Sequence, residues 1–162
     1  MKYAVQVAIA FVFGACFNPF APGLERGDDF GNLITEQKTP EETLQNFAYA
    51  YTLKDSLLYS ELLDESFVFE YFEPDKEPSG GEITWGRDDD LRSTGIIFRT
   101  FDAIDLQFVN LYSDMNRRFV RFDLSLVGSS QSFIVTGRAV FDFILGNDGK
   151  WRIVRWKDES DF

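Results

Sequence analysis

From Ala103 onward, hydrophobic side chains recur at every second position, and no other feature restricts the fold as tightly. The alternation marks four strands, at about 104–112, 117–127, 133–145 and 150–157. Gly128-Ser129-Ser130-Gln131 and Gly146-Asn147-Asp148-Gly149 supply hairpin turns. On the second of these strands the apolar residues are Val120, Phe122, Leu124 and Leu126; on the third they are Phe133, Val135, Ala139, Phe141 and Phe143. These sets share a face only in one parity of pairing, because a one-residue slip turns every side chain over. A register with Asp123 opposite Arg138 satisfies this and pairs opposite charges. The same logic carries Val154 and Trp156 of the last strand onto that face and sets Asp142 against Arg155. The opposite face is then mixed: Phe119, Arg121, Asp123, Ile134, Arg138, Val140, Asp142, Ile144, Trp151, Ile153 and Arg155.

The half of the chain before these strands has a helical period. Thr39, Pro40 and Glu42 occupy the N-cap, first and third positions of a helix and form a capping box. Leu44, Phe47, Ala48 and Tyr51 follow as its buried stripe. A shorter helix starts near Asp55, with Leu58 and Leu62 inward. Phe67–Phe72 is an aromatic strand, the Pro- and Gly-rich run 73–81 is a loop, and Glu82–Trp85 returns as a partner strand. Asp88, Asp89 and Asp90 stand where the positive end of a third helix favours acid. Leu91, Phe98 and Phe101 give that helix an apolar side, and Gly95 is a close-packed spot in it.

The order helix, helix, hairpin, helix and four long strands, closing in Trp151-Arg152-Ile153-Val154-Arg155-Trp156, resembles the nuclear transport factor 2-like superfamily over roughly residues 39–158. The resemblance implies an α+β cone, a curved antiparallel sheet wrapped around the N-terminal helices. Three leading helical segments disfavour a lipocalin-like barrel. The superfamily holds isomerases, dehydratases, cyclases and many non-enzymatic binding or assembly domains. Its enzymes use an Asp or His in the cone, often beside a Tyr donor, and no motif in this chain lets those roles be carried over residue by residue.

The N-terminus reads as an export signal. Lys2 precedes an apolar stretch, Ala4–Phe13, broken only by Gln6. At about 20 residues for a span, the stretch is too short to cross a bilayer as a helix and suits a secretory leader. It ends in Phe13-Gly14-Ala15-Cys16, which resembles the bacterial lipobox, although Phe13 stands where Leu is usual. That resemblance, confined to residues 1–16, implies cleavage before Cys16 and lipid on its thiol. The alternatives are a plain secretory leader with an incidental cysteine, or a buried N-terminal helix. The reading is therefore a signal peptide at 1–15, a lipidated Cys16 with a tether over 16–38, and one domain over 39–162. It places the chain in a bacterial cell envelope, anchored to a membrane.

Composition removes much chemistry. The chain has no histidine and one cysteine, which excludes Ser/His triads, His-containing metal sites and internal disulfides. A formal charge of −11, one unit more negative once Lys2 leaves, argues against nucleic-acid binding and against electrostatic docking on anionic lipid. Membrane contact must then come through the lipid on Cys16. The run Asp88–Asp90 lacks the ligand spacing of a calcium loop, so neither metal nor cofactor is expected.

Aromatic residues make up 17% of the chain, enough for an aromatic core or an aromatic-lined cavity. Phe47, Tyr51, Phe98, Phe122, Phe141 and Trp156 are the candidates to surround an apolar small molecule, or else simply to fill the cone. Asp102 and Asp105, where helix meets sheet, are the carboxylates to test for proton transfer; the plainer reading is polar groups facing water. Ile134, Val140, Ile144, Ile153 and Trp151 suit a homodimer through the mixed sheet face, or an exposed face with surface ion pairs. The expectation is a non-catalytic ligand-binding or assembly domain. The competing class is a small isomerase- or dehydratase-like enzyme using an Asp in the cone, and a third is a purely structural lipoprotein.

Overall fold

A computed structural model describes residues 33–75 and 79–160; the leader, Cys16 and most of the expected tether lie outside them. Helix α1 (Pro40–Leu53) starts where the capping pattern places it: Thr39 Oγ1 accepts the Glu42 amide at 3.1 Å. The Glu42 carboxylate reaches back one residue further than the capping box predicts, accepting from the Lys38 amide at 2.7 Å. Helix α2 (Ser56–Leu62) begins at Asp55, whose carboxylate accepts the amides of Leu57 and Leu58. Strands β1 (Leu63–Glu73) and β2 (Gly81–Gly86) form a hairpin, and helix α3 (Arg87–Thr100) follows. Strands β3 (Ala103–Asp114), β4 (Arg117–Val127), β5 (Ser132–Leu145) and β6 (Trp151–Asp158) complete the chain.

All six strands join one curved sheet in the order β2-β1-β6-β5-β4-β3. The sheet is mixed, because β1 and β6 run parallel while the other neighbours are antiparallel. A parallel pair needs a long crossover, and everything from β2 to β5 supplies it.

The face assignment holds for β4 and β5. Val120, Phe122, Leu126, Ala139, Phe141 and Phe143 are buried in one core, while Phe133 at the far end is exposed. The expected pairing of Asp123 with Arg138 is wrong by two residues: Asp123 faces Thr136, and Arg138 faces Arg121. The turn decides this, since the Gly128 amide donates to the Gln131 carbonyl at 2.9 Å and centres the loop on Ser129 and Ser130, one residue earlier than the other register requires.

In β6 the parity changes. Phe141 pairs with Trp156 and Asp142 with Arg155, as expected, but Phe143 pairs with Ile153 and skips Val154. This bulge turns Ile153 and Trp151 inward and leaves Val154 half-buried, correcting the sequence reading on all three. The outer face keeps Ile134, 80% exposed, and a chain of charges across four strands. Arg117 donates twice to Asp142, and Arg155 donates to both Asp142 and Glu70.

The folded unit begins before Thr39. Asn46 of α1 exchanges hydrogen bonds with the Thr35 backbone at 2.8 and 3.0 Å, and the Trp151 amide donates to the Gln37 carbonyl at 2.8 Å. The last residues of the expected tether are therefore bound to the domain.

The two faces predict different costs of truncation. Phe141→Ala should destabilise by about 3–5 kcal/mol in urea unfolding, and Ile134→Ala by less than about 0.5 kcal/mol. Equal costs would contradict the placement of the core.

Candidate functional site

The interior between the helices and the sheet is occupied by aromatic rings in contact. Phe47 lies 5.1 to 5.8 Å, centroid to centroid, from Tyr51, Tyr59, Phe108, Phe141 and Trp156. Phe98 packs against Tyr51, and Phe141 stacks on Trp156. Phe122 is buried over Gly137, its cross-strand neighbour, where an added Cβ would stand 2.9 Å from the ring. The six aromatic candidates thus lie on the core side of the sheet, and five of them touch one another. The Trp156 indole N–H is buried with no partner among the described residues.

Polar groups line one side of this aromatic packing. The Tyr59 hydroxyl donates to Asp90 Oδ2 at 2.5 Å, and the Trp85 indole donates to Oδ1 at 3.1 Å. Tyr51 and Thr94 share a hydrogen bond of 3.4 Å. Burial pushes the Asp90 carboxyl up, against the pull of its two donors, and pushes both phenols up as well. The sequence pattern places Asp90 among the charges of a helix start and gives Tyr59 and Trp85 no part in a site. The available signal was spacing: Asp90, Thr94 and Phe98 recur every four residues on the buried stripe of α3. Asp102 and Asp105 are exposed, accepting from Ser129 and Gln107 respectively, and do not enter the interior.

Open space lies on the flank, in a groove of about 450 Å³ between α1 and the β3–β4 hairpin. Leu44 and Ala48 of α1 form one apolar wall, and Phe108 and Val120 of the sheet form the other. Gln45, Tyr49, Gln107 and Asn110 edge it, and Glu41 and Arg118 stand together at the end nearest the start of α1. Arg118 is buried on the inner side of β4; its Nε donates to Glu41 at 2.6 Å, and its Nη1 donates to the carbonyls of Met115 and Arg117. The guanidinium holds the Glu41 carboxyl below its usual range. Among the described residues, no group of His, Cys, Asp and Glu could hold a metal, and no helix is long and apolar enough to cross a membrane.

No family model and no curated protein matches the sequence. Solved structures do. An epoxide hydrolase of M. tuberculosis described as LEH-like is 16% identical, with a TM-score of 0.55 over 74% of this chain and 80% of that one. Bal32a, from a soil-derived mobile gene cassette, is 20% identical, with a TM-score of 0.55 over 76% and 88%. The protein Rd1NTF2_04 with long sheet is 14% identical, with a TM-score of 0.52 over 74% and 99%. The chain has the nuclear transport factor 2-like fold, an α+β cone.

Asp90 supplies a pH test of the interior. Its raised folded value means that its contribution is complete below the unfolded carboxyl value of about 4 and is lost as pH rises through the folded value. Asp90→Asn should therefore lower the unfolding temperature more at pH 4 than at pH 7. A penalty that grows toward pH 7 would reverse the assigned shift.

Proposed function

We propose that this nuclear transport factor 2-like domain is a non-catalytic binding module of the bacterial cell envelope, held to a membrane by lipid on Cys16, with the α1/β3–β4 groove as its ligand site. The groove carries the reading. It has two apolar walls, a polar rim and a volume suited to a small molecule. The interior offers a ligand no comparable space, because the rings that sequence pattern nominated as a lining pack on one another. The leader and Cys16 support export and anchoring. The outer sheet face, with Ile134 and Ile144 exposed, is the surface we assign to contact between two copies.

One observation favours the enzymatic reading: a buried carboxyl of raised pKa beside a tyrosine, in a fold shared with an epoxide hydrolase. Both Asp90 oxygens are already engaged by side chains of the fold, which ties the group to holding α3 against α2 and β2.

For the groove, N-phenyl-1-naphthylamine is the probe, titrated by fluorescence into the full chain carrying Cys16→Ser, which has no acyl chains to take up dye. Ala48→Trp should weaken binding by about tenfold or more; an unchanged titration would place binding elsewhere. For the anchor, Cys16→Ser should abolish lipid labelling and release the protein from membranes. A protein that stays membrane-bound and unlabelled in both forms would count against lipidation.

A further inference from the structure

The two charged side chains of the groove have unequal surroundings. Arg118 is buried, with its side chain 9% exposed, whereas the side chain of its partner Glu41 is 54% exposed. The guanidinium is anchored from behind, because its Nη1 serves the carbonyls of Met115 and Arg117 at the hairpin. Its other edge, Nε and Nη2, is the edge that grips a carboxylate with two parallel bonds. Glu41 uses one bond of that pair, at Nε; Nη2 makes no hydrogen bond among the described residues. An arginine held in this way, at the end of an apolar groove, is an unfilled half of a carboxylate site.

We infer that the groove takes an organic monocarboxylate with an apolar tail, the carboxylate displacing Glu41 from Arg118 and the tail lying between α1 and the sheet. The inference rests on the groove being the binding site and names the ligand class for it. Glu41 can turn out to water at little desolvation cost, because it is already more than half exposed. Arg118 cannot follow it, so the groove gains an uncompensated positive charge that a ligand carboxylate neutralises. Among the described residues, Glu41 and Arg118 are the only charged ones lining the groove, and its local sign is therefore set by whether Glu41 is in or out. The −11 charge of the whole chain opposes an anion at long range, but that repulsion fades beyond about 8–10 Å at ordinary salt. From Glu41 to Tyr49 the groove follows about 12 Å of α1, a length that suits an extended acyl or similar chain better than a compact polar acid.

Decanoate and 1-decanol share a tail and differ in the head, so they test the head alone. Both are used to displace N-phenyl-1-naphthylamine from the full chain carrying Cys16→Ser. Decanoate should displace the dye at about tenfold lower concentration than 1-decanol. Glu41→Ala should widen that preference by removing the internal competitor, and Arg118→Gln should abolish it while the dye still binds. Arg118 also ties down the hairpin, so Glu41→Ala decides the matter if Arg118→Gln does not fold. Equal displacement by acid and alcohol, or weaker decanoate binding in Glu41→Ala, overturns the carboxylate inference and leaves the groove reading in place. Dye binding that ignores Ala48→Trp removes the groove reading itself, and the inference with it.

Discussion

The contact of Phe47 with the sheet is the interaction on which the rest of this molecule depends. An isolated helix of 14 residues is marginal in water, and a sheet with one apolar face must cover it. Phe47 meets both needs, because its ring touches Phe108, Phe141 and Trp156 of the sheet and Tyr51 and Tyr59 of the helices. Stacked and edge-to-face contacts among these rings occupy the space between the layers. The consequence is spatial. A cone packed with its own rings leaves little room for another molecule inside it, and an apolar groove opens where the packing ends, on the flank of α1 beside Ala48.

The fold buries two kinds of charge, in opposite conditions. Asp90 accepts from Tyr59 and Trp85 and so links α3 to α2 and to β2. Its acceptor oxygens are occupied by groups the fold itself supplies, and removing a partner would expose an unsatisfied buried group. Arg118 is also buried, but among the described residues its one anionic partner is a surface carboxylate, and part of its donor edge is unengaged. A buried charge with a fixed partner holds structure together, whereas one with a removable partner can exchange it for a ligand.

Much of the architecture was legible in the chain. The capping pattern at Thr39, the helix start near Asp55 and the alternation of β4 and β5 are local signals, and local geometry obeyed them. Register was less legible, because parity alone admits pairings two residues apart; loop closure at Gly128 chose between them. The bulge at Val154 left no mark in the hydrophobic pattern, since Ile153 and Val154 are both apolar and either could face inward. Asp90 was hidden for a different reason: three consecutive aspartates at a helix start read alike as acid at its positive end, and one of them meets a tyrosine from another helix.

The sequence by itself determined an α+β order of elements, the cap that starts α1, the start of α2 near Asp55, and the apolar face of β4 and β5 that must be covered. Each follows from residues a few positions apart, acting through backbone hydrogen bonds and side-chain period. Tertiary structure alone decided that the cone is filled and that an apolar groove opens beside α1. It alone joined Glu41 to Arg118, residues 77 positions apart. Such pairings depend on how a helix seats on a curved sheet, and no period or spacing along the chain encodes the point where that seating brings two distant charges together.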